Sequence, residues 1–154
     1  MADINHSAIS DPYIHEPKGA STATSGQVYK ANGSGSGAWT SDINKYTLTV
    51  TMADVSAPSS VYVVAPIAGT LKRIDSVLGG AITVANSAMS FTIAGAAVTG
   101  SAQTIAFSGS GAGVAFSSTP SAANAVTAGQ VIAATSDGGS TTTQPLTITY
   151  TIEV

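Results

Sequence analysis

Cysteine is absent from the 154 residues. Neither a disulfide nor a thiolate metal site can therefore hold this fold, and the redox compartment stays open. Charge is nearly absent as well: only 8% of the residues are Asp, Glu, Lys or Arg, against about 25% in an ordinary soluble domain. The five basic residues, Lys18, Lys30, Lys45, Lys72 and Arg73, all lie in the first half of the chain. Between Ser76 and Ser136 no charged residue occurs, and only Asp137 and Glu153 follow. A net charge of −3 argues against a nucleic-acid surface. Charged residues are depleted where protein surfaces are covered, so this scarcity points to a body whose surface is shared with copies of itself or with a partner. Histidine is scarce too, with His6 and His15 both near the start. The first residues, "MADINHSAIS", lack the basic and apolar regions of a signal peptide and the Met-Gly start of a myristoylated chain.

One uncharged run, "AITVANSAMSFTIAGAAV" (residues 81–98), approaches the length of a membrane span. Asn86, Ser87 and Ser90 interrupt it, and Met89, Phe91 and Ile93 alternate with small or polar residues. Two short strands joined by a turn fit this pattern better, and no membrane partner is expected.

What is present is alternation. In "YTLTVTM", Tyr46, Leu48, Val50 and Met52 share one face and Thr47, Thr49 and Thr51 the other. In "LTITYTIEV", Leu146, Ile148, Tyr150, Ile152 and Val154 oppose Thr147, Thr149, Thr151 and Glu153. A period of two marks half-buried strands, and β-branched threonine suits their solvent face. Further strands are predicted over residues 60–65, 70–78, 82–85, 88–93, 103–107, 114–118 and 130–135, separated by Pro66, Gly79-Gly80, Asn86, Gly95, "SGSGAG", Pro120, Gly129 and "DGGS". Many short strands at this spacing indicate an all-β sandwich or barrel. No segment has sustained helical periodicity, although a single turn can be drawn at "SAANAV" (residues 121–126).

This body starts at residue 45 and runs to 154. Residues 1–44 differ: they are rich in Gly, Ser and Thr, do not alternate, and bury too little apolar surface to fold alone. They read as an extended, mostly irregular N-terminal arm. Tyr13, Val28, Tyr29 and Trp39 are its apolar anchors, the residue types that dominate docking energies.

Chemistry is hard to find. "NGSGSGAW" lacks the Gly-Lys-Ser/Thr ending of a phosphate loop and precedes no helix, so a linker or turn explains it. "HEPKG" has no second histidine one turn on, and Pro17 disfavours the helix a zinc motif needs. His15 with Glu16 can be drawn as an acid–base pair, but a solvated polar turn accounts for them more simply. Asp137 in "DGGS" is a turn residue rather than one of the several oxygen ligands that calcium requires. Lys72, Arg73 and Asp75 read as a solvated strand edge. Serines are many, but no G-x-S-x-G elbow occurs and the body holds no histidine to act as base. No catalytic, metal or cofactor residues are assigned, and an enzyme is not expected. Phe91 and Tyr150 read as core.

The segment "HEPKGASTATSGQVYKANGSGSGAWT" (residues 15–40) resembles the N-terminal segment of small structural proteins of tailed phages, the head decoration, cement or head-fibre proteins. The His-Glu-Pro-Lys-Gly start, the Gly-Gln-Val-Tyr middle and the Gly-Ser-Gly-x-Trp end carry the likeness. Downstream, "SSVYVVAPIAGTLKRI", "FTIAGAAVTG" and "TAGQVIAATSDGGS" are similar to the jelly-roll domain of such proteins, though many phage fibres have comparable phrases. The resemblance covers most of the chain from His15 onward. It implies an all-β jelly-roll β-sandwich behind a capsid-binding arm (1–44), forming a homotrimer that binds the phage major capsid protein on the outer capsid surface of the virion, after assembly in the host cytoplasm. Tyr13, His15, Glu16, Pro17, Lys18, Gln27, Tyr29 and Trp39 would contact the capsid, with no cofactor. The competing reading is a trimeric phage fibre or receptor-binding domain that recognises the host surface. A carbohydrate-binding or adhesin domain ranks third.

Overall fold

The computed structural model of the chain describes residues 23–24, 26–31, 37–41 and 44–154. The chain divides into two compact units, one ending at Ile43 and the other comprising Asn44–Val154. In the first unit the described residues form a two-stranded hairpin, β1 (Gln27–Ala31) and β2 (Gly37–Ser41). Within the expected, mostly irregular arm, these two five-residue strands are regular. The glycine-serine run, which the sequence reads as a linker or turn, falls between these two paired strands.

The second unit is all-β, with antiparallel sheets packed as a sandwich and no helix among the described residues. Its strands are β3 (Lys45–Met52), β4 (Ser59–Val64), β5 (Gly69–Leu78), β6 (Ser87–Ile93), β7 (Ala96–Ala97), β8 (Gln103–Ile105), β9 (Ala115–Ser118), β10 (Ala125–Val126), β11 (Val131–Ser136) and β12 (Leu146–Glu153). The first sheet runs β3-β12-β5, and β9 and β10 share the far side of β5, pairing with its end and its start respectively. The second runs β4-β11-β6, with β8 and β7 sharing the far side of β6 in the same way. Each sheet thus has one edge strand broken in two. A bridge between Thr99 and Ala122 joins the two breaks and zips that side of the sandwich.

Alternation explains the core. Met52, Leu146, Ile148, Tyr150 and Ile152 face inward from β3 and β12, opposite Met89, Phe91, Ile93 and Ile132 of the second sheet, all nearly inaccessible. Each such aliphatic side chain contributes about 1.5–3 kcal/mol by leaving water. Phe91 meets Tyr150 edge to face, with centroids 6.2 Å apart and planes at 83°. Both are core, as expected. The outward threonines pair across strands, Thr49 with Thr149 at 3.2 Å and Thr51 with Thr147 at 3.3 Å between hydroxyl oxygens. One buried polar cluster crosses between the sheets. Gln103 of β8 donates to the Ile74 carbonyl at 2.9 Å and to Ser118 Oγ at 3.2 Å, while Ser76 donates to its Oε1 at 2.5 Å.

Three expectations need correction. Residues 82–85 form a loop, not a strand: Val84 there has φ of 75°, which breaks strand geometry. The turn drawn at residues 121–126 is replaced by the bridge at Ala122 and by β10. Lys72, Arg73 and Asp75 lie within an interior strand, not at a sheet edge. There the register slips between β5 and β12, with Thr151 opposite Arg73 and Ile152 opposite Leu71, so Lys72 is the extra residue of a bulge. That bulge turns Leu71 and Ile74, three positions apart, both into the core.

Strand direction sets two distinct ends. The loops at 53–58, 79–86, 106–114 and 137–145 gather at one end, tied together by bonds such as Val55 N–H to the Gln144 carbonyl (2.9 Å) and Phe107 N–H to Asn86 Oδ1 (3.0 Å). At the other end the Val154 N–H donates to the Asn44 carbonyl at 3.1 Å, so the chain enters and leaves the sandwich side by side.

Candidate interaction surfaces

In the hairpin, β1 and β2 run antiparallel with Tyr29 directly opposite Trp39. Their rings lie 5.5 Å apart at 65°, an edge-to-face pair, and both residues are half-buried. Such pairs add about 0.5–1.5 kcal/mol beyond simple burial. A Cβ at Gly37 would sit 2.8 Å from Cε1 of Tyr29, so only glycine admits the ring there.

Gln27 begins β1, and its side chain is engaged locally. Its Oε1 accepts the Thr24 N–H at 2.8 Å, its own N–H donates to the Thr24 carbonyl at 3.0 Å, and Gly26 takes φ of 86°. The body repeats this unit. Gln130 Oε1 accepts the Thr127 N–H at 2.9 Å, Gln130 N–H donates to the Thr127 carbonyl at 3.1 Å, and Gly129 has φ of 87°. The phrases are "TSGQV" and "TAGQV". Thr-x-Gly-Gln-Val is thus a turn that launches a strand: glycine supplies positive φ at the third position and the Gln amide closes the loop. This accounts for Gln27 without any partner, leaving only its amide NH2 group to offer one. The repetition is visible in the sequence, and it was the signal for this turn.

The structure therefore brings together Gln27, Tyr29 and Trp39 of the expected capsid-contacting residues. Tyr13, His15, Glu16, Pro17 and Lys18 lie outside the described residues.

The two outer faces of the sandwich contrast. The first sheet displays threonines and charge: Lys45 pairs with Glu153 at 3.1 Å, and Arg73 Nε reaches Asp75 at 2.8 Å. The second sheet has no charged residue in any of its strands. Tyr62, Val64 and Val131 stand on its outer face, 63%, 60% and 40% exposed. At the four-loop end, Val84 is 72% exposed and Phe107 44%. The acids of that end are occupied. Asp54 accepts from the Ser56 N–H and hydroxyl and from Thr143, and the Ser56 hydroxyl above all holds its carboxyl below the usual carboxylate range. Asp137 Oδ1 accepts the N–H groups of Ala88 and Gly139, the turn role expected for "DGGS". Among the described residues no three His, Asp or Glu side chains come together. No helix among the described residues is long and apolar enough to cross a membrane.

Searches against protein-family models and against curated proteins return no match to the chain.

Proposed function

We propose that the chain is a capsid decoration protein of a tailed phage, a homotrimer that binds the major capsid protein on the outer surface of the virion and stabilises the head. The observation that carries this reading is the Tyr29–Trp39 pair on a hairpin that belongs to a different compact unit from the sandwich. A two-stranded hairpin is marginal in water by itself. One that presents paired aromatics, the residue types of docking hot spots, makes sense as a segment that completes its packing on a protein surface. It lies within the same residues, 15–40, that resemble the arm of decoration proteins. The body suits the reading as well. The orders β3-β12-β5-β9/β10 and β4-β11-β6-β7/β8, with the chain crossing between sheets at most connections, favour a jelly roll.

The mechanism is mechanical, without catalysis, cofactor, nucleic acid or membrane. Each bound protein adds buried interface across neighbouring capsid subunits, so internal pressure has more contacts to break. Three arms on one trimer gain from avidity, since the first to bind raises the effective concentration of the next. Quantifying this chain against the major capsid protein in purified particles tests the reading. Copy numbers matched to the capsid lattice are expected, and a few trimers per particle would overturn it. That second outcome would favour a fibre or receptor-binding domain, a reading that draws on the exposed Val84 and Phe107 at the four-loop end, the end away from Asn44.

A further inference from the structure

The outer face of the second sheet is anomalous for a solvated surface. Val64 lies directly opposite Val131, and Tyr62 opposite Ala133, so the exposed apolar side chains of β4 and β11 form one continuous patch. Next to it, Ser90 and Thr92 of β6 oppose Thr135 and Ala133. Exposed Ala97, opposite Thr92, extends the neutral surface, and no carboxylate, ammonium or guanidinium of the sheet's strands interrupts it. Every charged strand residue of the sandwich belongs to the other sheet.

A second observation falls on the same strand. Among the described residues β4 pairs only with β11, so one whole edge of this six-residue strand is unpaired. Folded proteins blunt such edges with lysine, an inward-pointing charge, a bulge or a proline. β4, "SSVYVV", has none of these within it, and its register with β11 is continuous. The unbroken edge strand of the first sheet, β3, begins with Lys45 in an ion pair. The unprotected edge and the neutral apolar face thus meet at β4.

We propose that the protein associates with further copies of itself through this β4 side, with Tyr62, Val64 and Val131 at the centre of the contact. Charge selects the occupant. An acidic or basic partner finds no complementary group on this surface. In a closed symmetric assembly, residues near the axis meet their own images, and any charge there would be repelled by its copies. A neutral face avoids that repulsion. Size also bears on the geometry. Six residues at about 3.3 Å by four strands at about 4.8 Å give a planar footprint of about 400 Å². A stable interface takes about 800 Å² of accessible surface per partner. The face alone is small for that, so the contact includes the β4 edge. This inference rests on the homotrimer of the proposed function and names its surface; the shell-binding arm does not enter it.

The test is the mass of the full-length chain by sedimentation velocity over a range of concentrations. The unaltered protein should sediment as three chains. Tyr62→Lys and Val64→Lys should each weaken association at least tenfold and together give single chains, while circular dichroism keeps the β signature. Should either variant misfold, Ser90→Lys, a polar exchange on the same face, takes its place. Thr49→Lys, on the outer face of the first sheet, should leave the mass at three chains. Trimers that persist in Tyr62→Lys/Val64→Lys, or that dissociate equally in Thr49→Lys, overturn the inference but leave the homotrimer standing. A single-chain unaltered protein at every concentration overturns both; that is also the result if the chain's own N-terminal segment covers the patch.

Discussion

The Tyr150 hydroxyl sits in the fully buried centre of the sandwich and finds no hydrogen-bond partner among the described residues. Burial pushes its pKa well up, so it stays neutral. An unsatisfied buried hydroxyl costs about 1–3 kcal/mol, whereas its ring packs edge to face on Phe91. Tyr150→Phe keeps the ring and removes the cost. The variant should be as stable as the parent or more so by about 1 kcal/mol, read from the midpoint of urea unfolding. Asp54 behaves in the opposite way. Its pKa is lowered, chiefly by the Ser56 hydroxyl, so the ionised form is favoured in the folded state. The stabilisation it gives the 53–58 loop is present above the unfolded carboxylate value and is lost as pH falls through the lower folded one. Carboxyl NMR titration should find Asp54 below the usual carboxylate range, and Ser56→Ala should move it back up.

At the scale of elements, the Thr-x-Gly-Gln-Val turn occurs at 24–28 and again at 127–131. A Cβ at Gly129 would meet nothing within 4 Å, so an alanine there is strained only by φ of 87°. Gly129→Ala should therefore cost about 1–2 kcal/mol in sandwich unfolding. Gly26→Ala, the same change in the hairpin, should leave that transition in place. The long strands β3 and β12 were readable from their threonine alternation because one face is buried and the other wet. The edge elements were not. β7 and β10 have two residues each, too short to display a period, and they exist because β6 and β5 offer free hydrogen-bonding edges. The bulge at Lys72 also hid its strand's period, since an extra residue converts spacing of two into three. β1 and β2 escaped notice because their short alternation is diluted by the glycine-serine run between them.

For the whole molecule, the division at Asn44 carries a direct expectation. The described core is built from residues of the sandwich alone. Deleting residues 1–44 should therefore leave a cooperatively unfolding β domain with the parent's melting midpoint to within a few degrees. If residues 1–44 hold the capsid-binding arm, the truncated chain should no longer coat emptied capsids in a co-sedimentation assay. Undiminished coating would move the binding site to the body.

By itself the sequence determined the strand-rich class, the shared apolar face of β3 (of which Met52 is buried and Tyr46 is exposed), the inward residues of β12 from Leu146 to Ile152, the core roles of Phe91 and Tyr150, and a charge-poor body behind a different N-terminal segment. These are local properties, written in period, composition and turn residues. Only the tertiary structure decided the rest, because it depends on which strands become neighbours. Pairing set β4 at an edge and aligned Val64 with Val131 into one patch. It also gathered the charged strand residues onto the opposite sheet and brought Asn44 beside Val154. Nothing in the order of residues along the chain reports such long-range adjacency. It follows from burying two apolar faces against each other while every interior strand finds hydrogen-bonding partners on both sides.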